Sequence, residues 1–336
     1  MSSAPAPDEI ARDATWLAQA LDPSAGMVRL VALDPQGYRS ASFLDDRLMQ
    51  QTVDAQVVPW PEIEAAVAAD LRTDARWIFH IGHVGSTLVS RLLGGLDNVL
   101  AIREPRLLRD LAVSPPDVHE RYIPAIPKLM SRTFAQEEIA CVKVTSFGSE
   151  LAPKLVQPSA RALFIYARPR NYVASILAGE NSVKELHSLG EFRRQRLAKR
   201  GINFPAPRHD ADRAAVAWAC EMATIEAAAE VMIDRQIAWA DFDLVLANLF
   251  GELVRIAEFF GFAAPCEQVA AITQGPLMKR YSKDTRYEYS PRLRQELIDQ
   301  EIGLQGGDID AALAMLRSAS ETSPLLGRAL ARVEGF

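Results

Sequence analysis

Residues 76–93 constrain the fold more than any other part of this sequence. The run Trp77–Ile81 is apolar and bulky, as expected for a central strand of a parallel sheet. Gly82 and Gly85 follow it, and they allow the backbone to turn sharply and to approach a ligand closely. Ser86 suits the start of a helix, where unpaired N–H groups point outward. The stretch therefore predicts a strand, a glycine turn and a helix, which together form a cradle for a phosphate group.

This turn differs from the phosphate loop of ATP-dependent enzymes. That loop carries a lysine directly before its Ser or Thr, in the pattern G-x-x-x-x-G-K-[ST]. Here Gly85 precedes Ser86, and the turn contains no lysine. The usual clamp on the β- and γ-phosphates therefore lacks its main cation. An ordinary strand–turn–helix with small residues for packing is the alternative interpretation. The candidate anion-binding residues of the turn and helix start are Gly82, His83, Val84, Gly85, Ser86 and Thr87.

Three short segments resemble the sulfotransferases that use 3′-phosphoadenosine 5′-phosphosulfate (PAPS). They are Gly85–Leu88, Ser90–Leu93 and Arg103–Pro105, and the bacterial and Golgi-type members are the most similar. The resemblance implies an α/β fold of the P-loop type, with a three-layer parallel sheet and helices on both faces. It also implies that the turn holds the 5′-phosphate and sulfonate of PAPS as co-substrate, without a metal ion.

A second region resembles the 3′-phosphate motif of the same family. Residues 160–167 predict a strand, Arg168 follows it, and Ser175 lies in the next predicted helix. The resemblance implies that Ser175 and an arginine bind the ribose 3′-phosphate. The usual arginine position falls on Ala167, and Arg168 comes one residue later. An arginine-rich turn in water is the alternative interpretation.

A lysine interrupts the apolar run of another predicted strand, residues 139–146. Lys143 is costly inside a buried strand unless an anion pairs with it. An edge strand with a solvated lysine is the alternative. The resemblance implies that Lys143 neutralises the bridging oxygen of the leaving group.

Glu104 is the candidate general base. Pro105 cannot continue a strand, so Glu104 should lie at the end of the predicted strand 98–102, where parallel sheets carry chemistry. Cytosolic sulfotransferases place a His two residues after the lysine, but Thr145 occupies that position here. Golgi-type members use a Glu shortly after the loop, which implies Glu104. The alternative is a surface carboxylate or an ion-pair partner for Arg103.

His83 occupies a position where family members usually carry Lys or Arg. Either a protonated His83 supplies the positive charge, or Arg91 or Lys283 does, or activity is weak. His83 is also the next candidate for the base. A basic stretch at residues 278–289 resembles the loop that closes over the nucleotide, with Arg280 and Lys283 as candidate ligands. A solvated loop is the alternative interpretation of that stretch.

The polar stretch 180–207 follows the predicted nucleotide helix. Its arginine run is typical of a solvated helix face. A mobile lid or an acceptor-binding segment is the competing hypothesis.

Composition restricts the class of protein. The chain has 336 residues, 49% of them hydrophobic, which is enough for a large core. Its net charge of −6 argues against nucleic acid as a partner, so an anionic ligand needs a local positive pocket. No apolar run approaches the length of a membrane span, and the first residues lack the order of a signal peptide. Cys141, Cys220 and Cys266 show no metal spacing, and we expect a cytoplasmic protein with reduced thiols.

The N-terminal region is expected to form its own unit. Residues 1–65 predict an α/β extension packed on the main domain, residues 66–336. Apolar spacing predicts helices over 10–21, 43–53 and 244–260 and a strand over 27–33. Pro61 suits a helix start that leads residues 63–71 into the first strand of the main domain.

Three functions remain open from the sequence. The first is a sulfotransferase that moves a sulfuryl group from PAPS to a hydroxyl or amine of a small-molecule or glycan acceptor. The second is a kinase-like phosphotransferase of the same architecture, which the lysine-free turn disfavours. The third is a non-catalytic nucleotide-binding protein. A sugar, a peptide, a lipid and a phenol are all compatible with the sequence as acceptor, and so is any oligomeric state.

Overall fold

Two sheets of different kinds organise the chain. The computed structural model describes residues 4–68, 70–158, 160–275, 277 and 290–334. Within them lie a three-stranded antiparallel sheet near the N-terminus and a five-stranded parallel sheet. The strands are β1 Trp16–Asp22, β2 Met27–Ala32, β3 Ala55–Pro59, β4 Arg76–His80, β5 Val99–Arg103, β6 Ile139–Lys143, β7 Arg161–Tyr166 and β8 Gln236–Asp241.

Helices connect and cover these strands. The α-helices are α1 Pro7–Arg12, α2 Pro35–Ser40, α3 Trp60–Ala66, α4 Ser86–Leu93, α5 Arg106–Val113, α6 Pro116–His119, α7 Ile126–Met130, α8 Ala152–Leu155, α9 Pro169–Leu177, α10 Glu180–Lys199, α11 Asp210–Val231, α12 Phe242–Ala247, α13 Leu249–Phe260, α14 Cys266–Gln274, α15 Pro291–Ser320 and α16 Pro324–Glu334. Short 3₁₀ turns cover Asp46–Gln50, Ile123–Ala125 and Ser146–Leu151.

The parallel sheet has the strand order β5-β6-β4-β7-β8. Strands β4, β5, β6 and β7 are almost wholly buried because they are largely apolar on both faces, as expected for a parallel sheet. Ile78 of β4 pairs with Lys143 of β6, and Arg103 of β5 pairs with the same residue. The carboxyl ends of β4, β5 and β6 therefore meet at one edge.

Helices cover both faces of this sheet. The chain moves from β4 to β5 in one direction and from β7 to β8 in the other, so right-handed crossovers place their helices on opposite faces. Accordingly α4 packs on β5, β6 and α13, whereas α9 and α10 pack together with α11 on the opposite face. The predicted three-layer parallel sheet with helices on both faces is confirmed.

The N-terminal region differs from its prediction in detail. The predicted helix over 10–21 is wrong: α1 ends at Arg12 and β1 follows, because β1 is buried continuously and pairs with β2. The predicted helix over 43–53 is only the 3₁₀ turn Asp46–Gln50. The helix start predicted at Pro61 is confirmed by α3, which begins one residue earlier and ends at Ala66. The strand predicted over 27–33 is confirmed as β2.

One other helix is interrupted. The predicted helix over 244–260 is divided at Asn248, whose backbone leaves the helical region at φ −138° and ψ 61°. The Asn248 side chain accepts a hydrogen bond from the Gly251 N–H and so begins α13.

Two buried arginines attach the N-terminal region to the part of the chain that carries the parallel sheet. The Arg103 guanidinium donates to the carbonyls of Tyr38 and Ala41, and Arg132 donates to those of Ile10 and Trp16. Burial lowers the pKa of Arg103 to about 10, because the positive charge is removed from water and Arg91 lies nearby. Carbonyl partners satisfy the donors of a guanidinium without adding a second charge.

Among the helices of the described residues, none combines the length and the apolar character that crossing a membrane requires.

Candidate functional site

The glycine turn connects β4 to α4 through three residues with positive φ. Gly82, His83 and Gly85 have φ values of 78°, 54° and 58°. The prediction that Ser86 begins the helix is confirmed, and the helix places its N-terminal N–H groups at the turn. A positive φ costs a histidine roughly 1–2 kcal/mol, so the surrounding structure must hold this conformation.

Gly85 is required by a protein contact. A β-carbon added at this position would fall 2.6 Å from Cε1 of Phe242 and still closer to Cζ. Gly82 is less crowded, since its nearest neighbours would be the Cβ and Oγ of Ser146 at 3.7 Å. Phe242 is 2% exposed and begins α12, so its ring packs directly against the backbone of the turn.

The turn lies where an open parallel sheet forms a ligand crevice. The connection after β4 leads to α4 on one face, whereas the connection after the neighbouring β7 leads to α9 on the other face. The carboxyl ends of two such strands leave a crevice between them. The hydroxyl of Tyr172 in α9 donates to the Ile81 carbonyl across 3.4 Å, which joins the two sides of this crevice.

The predicted 3′-phosphate residues lie on the β7 side of the crevice. Arg168 precedes α9, and its Nε donates to Asp241 Oδ2 across 3.0 Å. Asp241 also caps α12 by accepting from the Asp243 N–H. Burial raises the pKa of Asp241, outweighing the hydrogen bond from the Asp243 N–H and the Arg168 charge. Ser175 is partly buried near the end of α9.

Lys143 and Glu104 form an ion pair at the carboxyl ends of β6 and β5. The Lys143 side chain is 1% exposed and that of Glu104 is 17% exposed. The edge-strand alternative for Lys143 is wrong, because β6 lies between β5 and β4. Glu104 has a positive φ of 52°, and its N–H donates to the Lys143 carbonyl across 2.8 Å. The sequence predicted both residues but not that they contact each other.

His80 links this pair to the glycine turn. Its Nδ1 accepts from the Gly82 N–H across 3.0 Å, and its Nε2 lies 3.9 Å from Glu104 Oε1. Accepting at Nδ1 places the proton of a neutral imidazole on Nε2, facing Glu104. Sequence reasoning missed this residue. The available signal was a histidine as the last residue of a buried strand, directly before the turn.

His83 is held by α10 on both sides of its ring. Its Nε2 lies 3.3 Å from Glu185 Oε2, and its Nδ1 lies 3.3 Å from Ser182 Oγ. The His83 side chain is 10% exposed. Of the alternative cations, Arg91 lies in the last turn of α4. Lys283 and Arg280 lie outside the described residues.

The arginine run of α10 is not simply a solvated face. Arg193 is buried and reaches Glu185 at 3.2 Å and Glu221 of α11 at 3.4 Å. Arg196 is also buried and lies 2.7 Å from Glu150. The solvated-face interpretation is therefore wrong for these two residues, because they face α11 and the 3₁₀ turn after β6.

The beginning of α15 contacts α12, whose first residue packs against the turn. Arg294 is 10% exposed, and its Nη1 donates to Asp243 Oδ1 across 2.8 Å. Its guanidinium lies 5.2 Å from the centre of the Phe242 ring, which itself packs on Gly85. Sequence reasoning did not single out Arg294, since nothing local distinguishes it from other arginines of a polar helix.

Comparisons with known proteins give little independent information. No protein-family model matches the chain, and no curated protein matches it at a significant level. Among solved structures, the chain is similar to the sulfotransferase domain from the curacin biosynthetic pathway, with a TM-score of 0.38 and 11% sequence identity. The similarity covers 69% of this chain and 91% of that domain. A similarity of this degree assigns no activity to this chain.

Proposed function

We propose that this protein is a sulfotransferase that moves a sulfuryl group from PAPS to a hydroxyl or amine of a small-molecule or glycan acceptor. One observation carries the proposal. The buried Lys143 and the partly exposed Glu104 form a pair that His80 connects to a lysine-free glycine turn, at the crevice of an open parallel sheet. The arrangement supplies an anion cradle, a cation and a carboxylate within one site.

The residues of the turn fit a phosphosulfate. The N–H groups at the start of α4, with the hydroxyls of Ser86 and Thr87, supply donors for its 5′-phosphate and sulfonate oxygens. In PAPS the sulfur is linked to that phosphate through a bridging oxygen. The turn is proposed to hold this link beside the strand ends that carry Glu104 and Lys143.

The Lys143–Glu104 pair has complementary roles in transfer. Glu104 takes the proton of the acceptor, whose oxygen or nitrogen forms a new bond to sulfur. The bond between sulfur and the bridging oxygen breaks, and Lys143 stabilises the negative charge that this oxygen gains. The products are the sulfated acceptor and adenosine 3′,5′-bisphosphate. Because the two residues contact each other, Lys143 must turn from Glu104 toward the bridging oxygen when PAPS binds.

The 3′-phosphate is assigned to the β7 side of the crevice. Ser175 and Arg168 are proposed to bind it, with Arg168 held by Asp241. Arg280 and Lys283 remain proposed ligands in the stretch outside the described residues.

One observation favours a second candidate, a nucleotide-binding protein without turnover. His83 stands where the family usually has Lys or Arg, and in this structure Ser182 and Glu185 engage its ring. A cation directed at the sulfonate would then have to come from another residue. The kinase-like alternative has no such support, because the turn contains no lysine.

Calorimetric titration of the full chain with adenosine 3′,5′-bisphosphate, AMP and ATP tests the proposal. We expect the bisphosphate to bind at least about tenfold more tightly than AMP, because charge-assisted hydrogen bonds to the 3′-phosphate are strong. Ser175→Ala should weaken bisphosphate binding and leave AMP binding unchanged. The exposed Ser318 of α15 provides a matched control, Ser318→Ala, which should change neither. Equal affinities for AMP and the bisphosphate would refute the proposal. Bisphosphate binding with no consumption of PAPS would favour the second candidate.

A further inference from the structure

A segment of the N-terminal region crosses the strand ends that carry the Lys143–Glu104 pair. We call residues 41–50 the cover segment. The Leu44 N–H donates to the Arg103 carbonyl across 2.7 Å, directly before Glu104. The Arg103 Nε donates back to the Ala41 carbonyl across 2.9 Å. The cover segment is thus hydrogen-bonded to the residue that precedes the proposed base.

The far end of the cover segment is held by charges. Asp46 lies 2.7 Å from Arg106 and 3.8 Å from Arg109, both of α5, and 3.2 Å from Arg29 of β2. The Gln19 side chain of β1 donates to the Leu44 carbonyl across 3.0 Å. Each of the three ion pairs is partly exposed and contributes little alone. Together they fix the cover segment on both sides of Glu104.

Phe43 is the part of the cover segment that reaches the reaction centre. The Lys143 Nζ lies 5.7 Å from the centre of the Phe43 ring, within the range of a cation–π interaction. Phe43 is 7% exposed, and the Arg47 guanidinium stacks 3.4 Å from the same ring. Lys143 is therefore enclosed by its own sheet, by Glu104 and by a ring that comes from outside the main domain.

We propose that the cover segment belongs to the reaction centre, and that Phe43 is a positioning residue that excludes water from Lys143. Excluding water strengthens the interaction of a lysine with the oxygen it must stabilise. Excluding water also limits the Lys143 ammonium group to one orientation, whereas a solvated ammonium group adopts many. The catalytic consequence rests on the proposed sulfuryl transfer, whereas the protection of Lys143 does not.

Chemical labelling of the full-length protein tests the protection. The probe is the succinimidyl ester of acetic acid, and mass spectrometry measures acetylation of Lys143 and of the exposed Lys184 as internal reference. Phe43→Ala should raise the labelling rate of Lys143 at least about fivefold, because water and reagent reach the amine. Phe43→Leu, which keeps most of the apolar volume, should remain close to wild type. Lys184 should react equally in every variant.

A matched control separates protection from general loosening of the N-terminal sheet. Leu30 is fully buried in β2 and lies on the opposite face of that strand from Arg29, which pairs with Asp46, so Leu30→Ala removes comparable packing away from this contact. It should lower the melting temperature about as much as Phe43→Ala and leave Lys143 labelling unchanged. Unchanged labelling in Phe43→Ala, or an equal rise in Leu30→Ala, would overturn the proposal.

Kinetics then test the positioning role. In Phe43→Ala the kcat for PAPS consumption should fall at least about tenfold, while the Kd for adenosine 3′,5′-bisphosphate stays within about twofold. Phe43→Leu should restore most of the rate. An unchanged kcat with an exposed Lys143 would refute the positioning role. If the wild-type protein does not bind the bisphosphate, the proposed function fails, and the labelling result still decides whether Phe43 protects Lys143.

Discussion

Substituting Gly85 tests whether this position must be glycine because a ligand approaches the backbone or because another part of the protein packs against it. In Gly85→Ala the new β-carbon meets the Phe242 ring, and the residue keeps a φ of 58°. The left-handed conformation costs an alanine about 1–2 kcal/mol. Displacing a buried ring costs about 1–3 kcal/mol more. We therefore expect a loss of about 2–5 kcal/mol in the free energy of unfolding.

A double-mutant cycle isolates the steric part of this loss. Phe242→Leu alone should cost about 1–2 kcal/mol, because it removes buried ring atoms. The double variant should be less destabilised than the sum of the two single variants by about 1–3 kcal/mol, since the smaller side chain leaves room for the β-carbon. Gly82→Ala is the matched control: its φ is 78°, but its nearest side-chain neighbours are 3.7 Å away. The loss of stability caused by Gly82→Ala should be the same whether Phe or Leu occupies position 242.

Urea unfolding followed by circular dichroism measures the wild type, the three single variants and the double variants Gly85→Ala/Phe242→Leu and Gly82→Ala/Phe242→Leu. Calorimetry measures their binding of adenosine 3′,5′-bisphosphate. Additivity of Gly85→Ala and Phe242→Leu within about 0.5 kcal/mol would refute the steric argument. A double variant that folds normally yet binds no bisphosphate would show that Gly85 also serves the approach of the phosphate.

Two further predictions concern charged residues. Glu104→Gln removes the carboxylate beside the buried Lys143, so it should lower stability by about 3 kcal/mol as well as reduce sulfuryl transfer at least about a hundredfold. The double variant Glu104→Gln/Lys143→Met should regain stability but not sulfuryl-transfer activity. If Glu104→Gln alone keeps its activity, Glu104 is not the general base. Arg196 and Arg200 hold the pKa of Glu150 below its ordinary value of 4.5, although burial opposes them. A lowered folded-state pKa stabilises the protein above the unfolded-state pKa, and this contribution is lost as pH falls through the folded-state pKa. Because Glu150 is partly exposed, Glu150→Gln should lower the free energy of unfolding by only about 1 kcal/mol at pH 7 and should leave it unchanged in acid. Thermal unfolding of both proteins across this pH range measures the difference, and a difference that does not vary with pH would contradict the assignment.

The sequence by itself determined three strands of the parallel sheet and the glycine turn. Apolar runs bounded by turn residues located β4, β6 and β7, because strands buried on both faces must be apolar throughout. The positions of Gly82 and Gly85 located the turn, because few other residues tolerate positive φ. These features depend on residues that are close together along the chain, so they can be predicted from the order of residues in the sequence.

Only the tertiary structure decided which of these elements meet. Lys143 and Glu104 are brought together because the strand order places β6 beside β5, and no periodicity encodes strand order. The same holds for the Phe242 ring that excludes a side chain at Gly85 and for the Phe43 ring over Lys143. Apolar spacing failed for β1, because a continuously buried strand and a buried helix carry similar apolar residues, and pairing with β2 decided between them. Contacts between residues distant in sequence depend on packing in three dimensions, and here those contacts form the candidate site.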